Sequence, residues 1–479
     1  MVPQAGRRQV GWWRDASREQ RRTVRFAAVS AVAGLALATG AVTAAGPWDG
    51  GQRKAERDLA AAPARPGGAR HADGERAPGA APPVLAPVHS GGKRSADGLA
   101  EALEPLLKDS ALGSDHAAAV VDATTGERLY GVGQSDAYTP ASTIKLATAA
   151  ATLSAVGPER RIETTVVAAG GDGVVLVGGG DPTLTPAGLG DLADATARAL
   201  KARGTTGKVK LAYDVSRYSG PVLHTMGLND NIAPVSPLMV NEGRLDDSDR
   251  GPADRTAEPA ADAARKFAEL LRDKGVDVDG EPGEGRAEGK AARLASVASP
   301  PVSALVERML TNSDNDIAEA LARQTALASG KPASFEGAAQ AVTERLGALG
   351  LPMSAVHIAD GSGLDRADRA SAEFLALVLA RAAEPGRPAL RPVLTGLPVA
   401  GFSGTLRDRY PRDAAGRALV RAKTGTLTGV NTLAGTVVTP GGRLLAFAFL
   451  ASGTTDADAA QKALDRAASA LAGSAPPGS

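Results

Sequence analysis

Apolar and polar positions change their rhythm several times along this 479-residue chain. In "DGLAEALEPLLKDSAL", residues 97 to 112, Leu99, Leu103, Leu106 and Leu107 fall on one helical stripe, so a helix is predicted where the folded part begins. "AAAVVDATTGERLYGVG" follows, with two short apolar runs on either side of the turn "DATTGE", a hairpin pattern. An alanine-rich helical run opens at "PASTIKLATAAATL", residues 140 to 153. "TTVVAAGGDGVVLVGGGDP" reads as a second hairpin around Gly-Asp-Gly, and "KVKLAYDVSRYSG" as a further strand. Helical spacing returns from about 258 to 274. Residues 280 to 292 are polar and read as a loop or boundary, and helices dominate from 301 to 385. "ALVRAKTGTL", "VNTLAGTVVTP" and "RLLAFAFLASG" read as three strands, the last two joined by "TPGG", and a final helix is predicted over 456 to 472. The fold class expected is α+β: the first hairpin and the last three strands in one antiparallel sheet, with the terminal helices packed on it. No internal repeat is visible.

The ends of the chain carry a different composition. Residues 1 to 25 are a positive segment with Arg14, Arg18, Arg21, Arg22 and Arg25, and residues 26 to 45 are uncharged and apolar. This is the pattern of an export signal, and its length also suits a single transmembrane anchor. Residues 46 to 95, rich in Pro, Gly and Ala, read as a disordered tether. The remaining division expected is a catalytic unit of residues 96 to 157 and 299 to 472, interrupted by an inserted segment, 158 to 298.

Composition removes several chemistries. With no cysteine, thiol catalysis, disulfides and zinc–thiolate sites are excluded. A formal net charge of +1 gives no electrostatic case for nucleic acid. The five histidines, His71, His89, His116, His224 and His357, have no G-x-S-x-G partner and no H-E-x-x-H pair. The glycines of "GGDGVVLVGGGDP" lack the dinucleotide fingerprint and sit in a predicted hairpin. No metal and no cofactor are expected.

Three short motifs remain. Ser142 and Lys145 stand three apart at a helix start, which puts them on one face. Burial and the positive end of the helix favour a neutral lysine that can take the hydroxyl proton. Ser90 and Lys93 have the same spacing inside the tether, so context separates the two pairs. Ser313-Asp314-Asn315 comes second. Taken alone, Ser313 reads as a helix cap, with Asp316 three residues on in the manner of a capping box. Lys423-Thr424-Gly425 comes third, on a predicted strand whose glycine lets a ligand or another backbone approach closely.

S-x-x-K, S-D-N and K-T-G, in this order, form the signature of class A β-lactamases and penicillin-binding proteins. The chain resembles the class C low-molecular-mass penicillin-binding proteins, the D-alanyl-D-alanine carboxypeptidase/endopeptidase family, over roughly residues 95 to 472. The long separation of Ser142 from Ser313 fits that family's insertion. "LVGGGDPTL", "APVSPLMVNEGR", "DGSGLDRADRAS" and "LPVAGFSGTLRDR" resemble it too. The resemblance implies a penicillin-binding, serine β-lactamase-like transpeptidase fold and a serine peptidase of peptidoglycan stem peptides, exported from the cytoplasm and acylated by β-lactam antibiotics. By it, Ser142 is the nucleophile, Lys145 the base and Ser313 the proton relay. Asn315, Lys423, Thr424 and Thr426 bind substrate, and the backbone N–H groups of Ser142 and Thr426 form the oxyanion hole. Two alternatives stay open on the sequence, a β-lactamase on the same fold and a β-lactam- or wall-binding protein without turnover. The motifs lie outside 158 to 298, so the insertion is expected to supply neither nucleophile, base nor oxyanion donor.

Overall fold

The computed structural model describes residues 96 to 473. The basic segment, residues 26–45, the tether and its Ser90–Lys93 pair lie outside the described residues. In chain order the main elements are α1 (Ala96–Leu107), β1 (Asp115–Asp122), β2 (Arg128–Val132), α2 (Lys145–Val156), β3 (Glu163–Ala168), β4 (Val174–Val177), α3 (Pro186–Ala202), β5 (Leu211–Asp214), α4 (Pro259–Asp273), β6 (Gly283–Glu284) and β7 (Arg293–Ala298). They continue as α5 (Val302–Asn312), α6 (Asn315–Ala328), α7 (Phe335–Ala348), α8 (Ala372–Ala383), β8 (Val420–Leu427), β9 (Val430–Val438), β10 (Leu444–Ser452) and α9 (Ala457–Leu471).

The first hairpin and the last three strands pair in the order β2-β1-β10-β9-β8, antiparallel throughout. Both faces of this sheet are covered, and the alternation along β10 shows how. Ala446, Ala448 and Leu450 enter one core with Leu146, Leu321 and Phe374 of the helices α2, α6 and α8. Leu445, Phe447 and Phe449 enter another with Leu103 of α1 and Leu464 of α9. A strand that alternates between two dry faces is apolar at nearly every position, as "LLAFAFLAS" is. β8 closes one edge of this sheet, which matters for the site.

A second sheet, β6-β5-β4-β3-β7, lies between the two halves of that architecture in sequence. It contains the expected β3–β4 hairpin but is mixed overall, because β5 runs parallel to β4 and β6 parallel to β5. Its core joins Val166 and Leu176 to Leu189 and Leu192 of α3 and Phe267 and Leu271 of α4. α3 and β7 are absent from the sequence-based reading. Gly188 and Gly190 thin the apolar stripe of α3, although Thr185 caps the helix on the N–H of Gly188 and Pro186 takes its first position. β7 has one fully buried side chain, Ala295, so its alternation is faint.

Candidate active site

The three motifs converge. Ser142 lies in a short 3-10 turn, Ala141–Ile144, that runs directly into α2 at Lys145. Residues three apart nearly eclipse in a 3-10 turn, and Lys145 Nζ stands 3.0 Å from Ser142 Oγ. The turn is pinned to the sheet through one atom. The Pro140 carbonyl accepts from the Thr143 hydroxyl at 2.6 Å and from the Thr432 hydroxyl of β9 at 2.8 Å. Ala141 is held at φ 47°, a left-handed conformation that non-glycine residues adopt at a cost and that recurs at functional sites. Gly425 on β8 allows the approach, since a Cβ there would meet the Pro140 oxygen at 2.8 Å and Ala141 Cβ at 3.1 Å.

Lys145 is fully buried. Besides Ser142, its Nζ donates to Asn315 Oδ1 at 2.6 Å and to the Ser362 carbonyl at 2.6 Å. Burial lowers its pKa from 10.5 to about 8, against the opposing pull of Asp360, Asp314, Glu319 and Asp368. The amine is therefore available near neutral pH, unlike a surface lysine.

Ser313 is a cap, but as the C-cap of α5, its N–H bonding the Met309 carbonyl, and not as the N-cap of a capping box. It follows α5 with φ 60° and ψ 38°, and Asp314 next to it caps α6 by accepting from the Ile317 N–H at 2.9 Å. Asp316 takes no part in a capping box. Its carboxyl receives the Ala233 N–H and Arg255 instead. The Ser313 hydroxyl is free of capping and receives Lys423 Nζ at 2.8 Å. Asn315, in the first turn of α6, bridges outward as well, its Nδ2 donating to the Asn231 carbonyl at 3.0 Å.

Lys423 is buried on β8, and burial, reinforced by the charge of Lys145, holds its pKa well below the ordinary lysine range. The outer edge of β8 is open next to the site. The Ala422 N–H points away from β9 to the Pro398 carbonyl, so the period-two alternation turns the N–H groups of Thr424 and Thr426 outward too. The Thr424 hydroxyl donates to Thr405 Oγ1 at 2.8 Å, and Thr426 is exposed.

Sequence reasoning missed four participants. Thr405 reaches the site from the "FSGTL" turn, and the Ser362 carbonyl from the "DGSGLD" loop. Asn231 and His224 come from the segment between residues 158 and 298 and touch Asn315 and Asp360. Two buried clusters have the composition of metal sites, His224, Glu319 and Asp360, and Glu242, Asp314 and Asp316. Arginines meet the second, since Glu242 pairs with Arg244 and Arg308 and Asp316 with Arg255.

Residues 99–253 and 246–472 match the D-Ala-D-Ala carboxypeptidase 3 (S13) family. The chain belongs to that family. It is 36% identical to a carboxypeptidase of Mycobacterium tuberculosis over 415 residues, 80% of this chain and 87% of the relative. It is also 36% identical to the carboxypeptidase DacB of Mycolicibacterium smegmatis over 445 residues, 88% of this chain and 92% of that protein. Among solved structures its fold resembles penicillin binding protein 4 (dacB) from Haemophilus influenzae, with a TM-score of 0.63 and 22% identity, covering 78% of this chain and 97% of that one. The likeness supports the penicillin-binding fold expected from the motifs, on a described part that begins at residue 96.

Proposed function

We propose that this S13-family protein is a serine D-Ala-D-Ala carboxypeptidase that cleaves peptidoglycan stem peptides through an acyl-enzyme on Ser142. The observation that carries the reading is the Lys145 amine, buried, lowered to about 8 and 3.0 Å from the Ser142 hydroxyl.

Lys145 accepts the Ser142 proton as Oγ attacks the carbonyl between the two terminal D-alanines. The negative charge on the tetrahedral oxygen meets the N–H of Ser142, in the first turn of a helix, and the outward N–H of Thr426. Ser313 passes a proton to the leaving amine, and water then hydrolyses the acyl-enzyme. Asn315 contacts the peptide amide while its Oδ1 receives Lys145. Lys423 takes the terminal carboxylate, flanked by Thr424 and Thr426. A carboxylate arriving there supplies Lys423 with a counter-charge, where its charged neighbour is Lys145. The same attack opens a β-lactam, whose leaving amine stays tethered to the acyl group, so release is slow. A D-alanyl cross-link presents the same class of bond to the same nucleophile.

The reaction takes place outside the cytoplasm. Residues 26–45 bring the chain there, as a removable signal or as a retained anchor, and residues 46–95 space the catalytic unit from the membrane. Among the described residues no helix is long and apolar enough to cross a membrane.

Incubation of the purified protein with stem pentapeptide and with a cross-linked muropeptide, read by mass spectrometry, tests the activity. Release of D-alanine supports the reading. Intact pentapeptide after prolonged incubation with protein that is folded and acylated by penicillin contradicts it and indicates a binding protein without turnover.

A further inference from the structure

His224 belongs to the inserted segment, yet it lies against the loop that holds the catalytic lysine. It is 4% exposed. Its Nε2 stands 2.8 Å from Asp360 Oδ2, and its Nδ1 accepts the Met226 N–H at 3.1 Å. An Nδ1 that accepts leaves the ring proton on Nε2, directed at the carboxylate. Asp360 is the knot of a tight loop. It accepts the N–H groups of Ser362 at 2.9 Å, Gly363 at 2.5 Å and Asp365 at 2.7 Å, and the Ser362 hydroxyl at 3.1 Å. With His224 that makes five donors to two oxygens. No lone pair is left for a cation, so the nearness of Glu319 does not make this a metal site.

The loop presents two carbonyls to α2. Gly361 O receives the Thr148 hydroxyl at 2.7 Å, and Ser362 O receives Lys145 Nζ at 2.6 Å. A neutral amine has two hydrogens and one lone pair. If Asn315 Oδ1 and Ser362 O each take one hydrogen, the lone pair is turned to Ser142. Moving the Ser362 carbonyl would let the amine rotate and would aim the lone pair elsewhere. Thr225, next to His224, adds a second tie to the loop through Asp365, at 3.1 Å.

We propose that His224 is a positioning residue for the reaction: by clasping Asp360 it fixes the Ser362 carbonyl, which orients the Lys145 amine toward Ser142. The inserted segment thereby takes part in acylation without touching substrate through this residue. The inference rests on Lys145 being the base, and the test separates the two.

Stopped-flow acylation of the full chain by a reporter penicillin gives the reversible binding constant and the first-order acylation rate, for wild type, Lys145→Ala, His224→Leu, His224→Asn and His224→Gln. The Leu variant removes the Nε2 donor. The Asn variant keeps an acceptor for Met226 but does not span to Asp360, and it reads the same contact if the Leu variant fails to fold. The Gln variant places an amide N–H near the Nε2 position. Leu and Asn should lower the acylation rate about tenfold or more while binding changes less than about twofold, and Gln should recover most of the loss. The acidic limb of the acylation pH profile should also move in the Leu and Asn variants. Folded Leu or Asn variants that acylate like wild type overturn the proposal. So does a Gln variant as impaired as Leu, which would make ring packing rather than the hydrogen bond the cause. Lys145→Ala acylating at the wild-type rate would instead overturn the base assignment, whatever the His224 variants do.

Discussion

Lys423 donates to the hydroxyl of Ser313 across 2.8 Å, joining β8 to the turn between α5 and α6. This contact places a buried amine, with no carboxylate ion-pair partner among the described residues, beside the proposed relay hydroxyl. A substrate carboxylate would supply that partner. Wild type should therefore prefer a peptide ending in a free D-Ala-D-Ala carboxylate over the same peptide amidated at its C-terminus. The Lys423→Ala variant should lose most of that preference, about 1–3 kcal/mol of transition-state binding. The ratio of kcat/KM values for the two peptides, measured on both proteins, checks it. An unchanged ratio in the variant would assign the carboxylate to another group.

The pH dependence follows from Lys145. Its pKa is lowered to about 8 by burial. Only the neutral amine accepts a proton, so acylation by penicillin should be slow at low pH, rise through about pH 8 and level off above it. Lys145→Ala should slow acylation by about 10²–10⁴-fold. Lys145→Arg should be slow at every pH, because a guanidinium does not deprotonate in this range. Pre-steady-state rates across the pH range test both.

Gly425 should be intolerant of a side chain. A methyl there meets the Pro140 carbonyl and the turn carrying Ser142. Gly425→Ala should cost about 1–3 kcal/mol of stability through overpacking. It should also slow acylation more than a change of that stability elsewhere in the molecule. Thermal denaturation and penicillin kinetics on the same preparation separate the two effects.

Asp314 holds α6 by its first turn and lies between Ser313 and Asn315. Asp314→Ala should lose about 1 kcal/mol, the usual worth of an N-cap. Asn315 Oδ1 should then be less well placed for Lys145, lowering the acylation rate as well. Urea denaturation gives the first quantity and acylation kinetics the second.

The parts of the site legible in the sequence are those that act through a local motif. Ser142 and Lys145 share one turn, Ser313 and Asn315 flank one cap, and Lys423 and Gly425 share one strand. The sheet was legible too, because β1, β9 and β10 are largely apolar runs between clear turns and β8 lies directly before β9 across a short turn. What stayed hidden is brought in over long sequence separations or acts through main-chain atoms. The Ser362 carbonyl lies 217 positions from Lys145 and carries no side-chain signature. His224 and Asn231 reach the site only because the insertion folds back on α6 and the 360–365 loop. The shift of the N-cap from Ser313 to Asp314 has a local cause: serine and aspartate are both good N-caps, and the left-handed backbone at Ser313, which ends α5, decides between them.

The central claim is that Ser142 is the nucleophile. Tryptic mapping of the purified protein after penicillin treatment tests it most directly. The account predicts a single penicilloyl adduct on the peptide carrying Ser142, absent from the Ser142→Ala variant. An adduct on Ser90, Ser313 or any other residue, or none on protein shown to be folded, would contradict it.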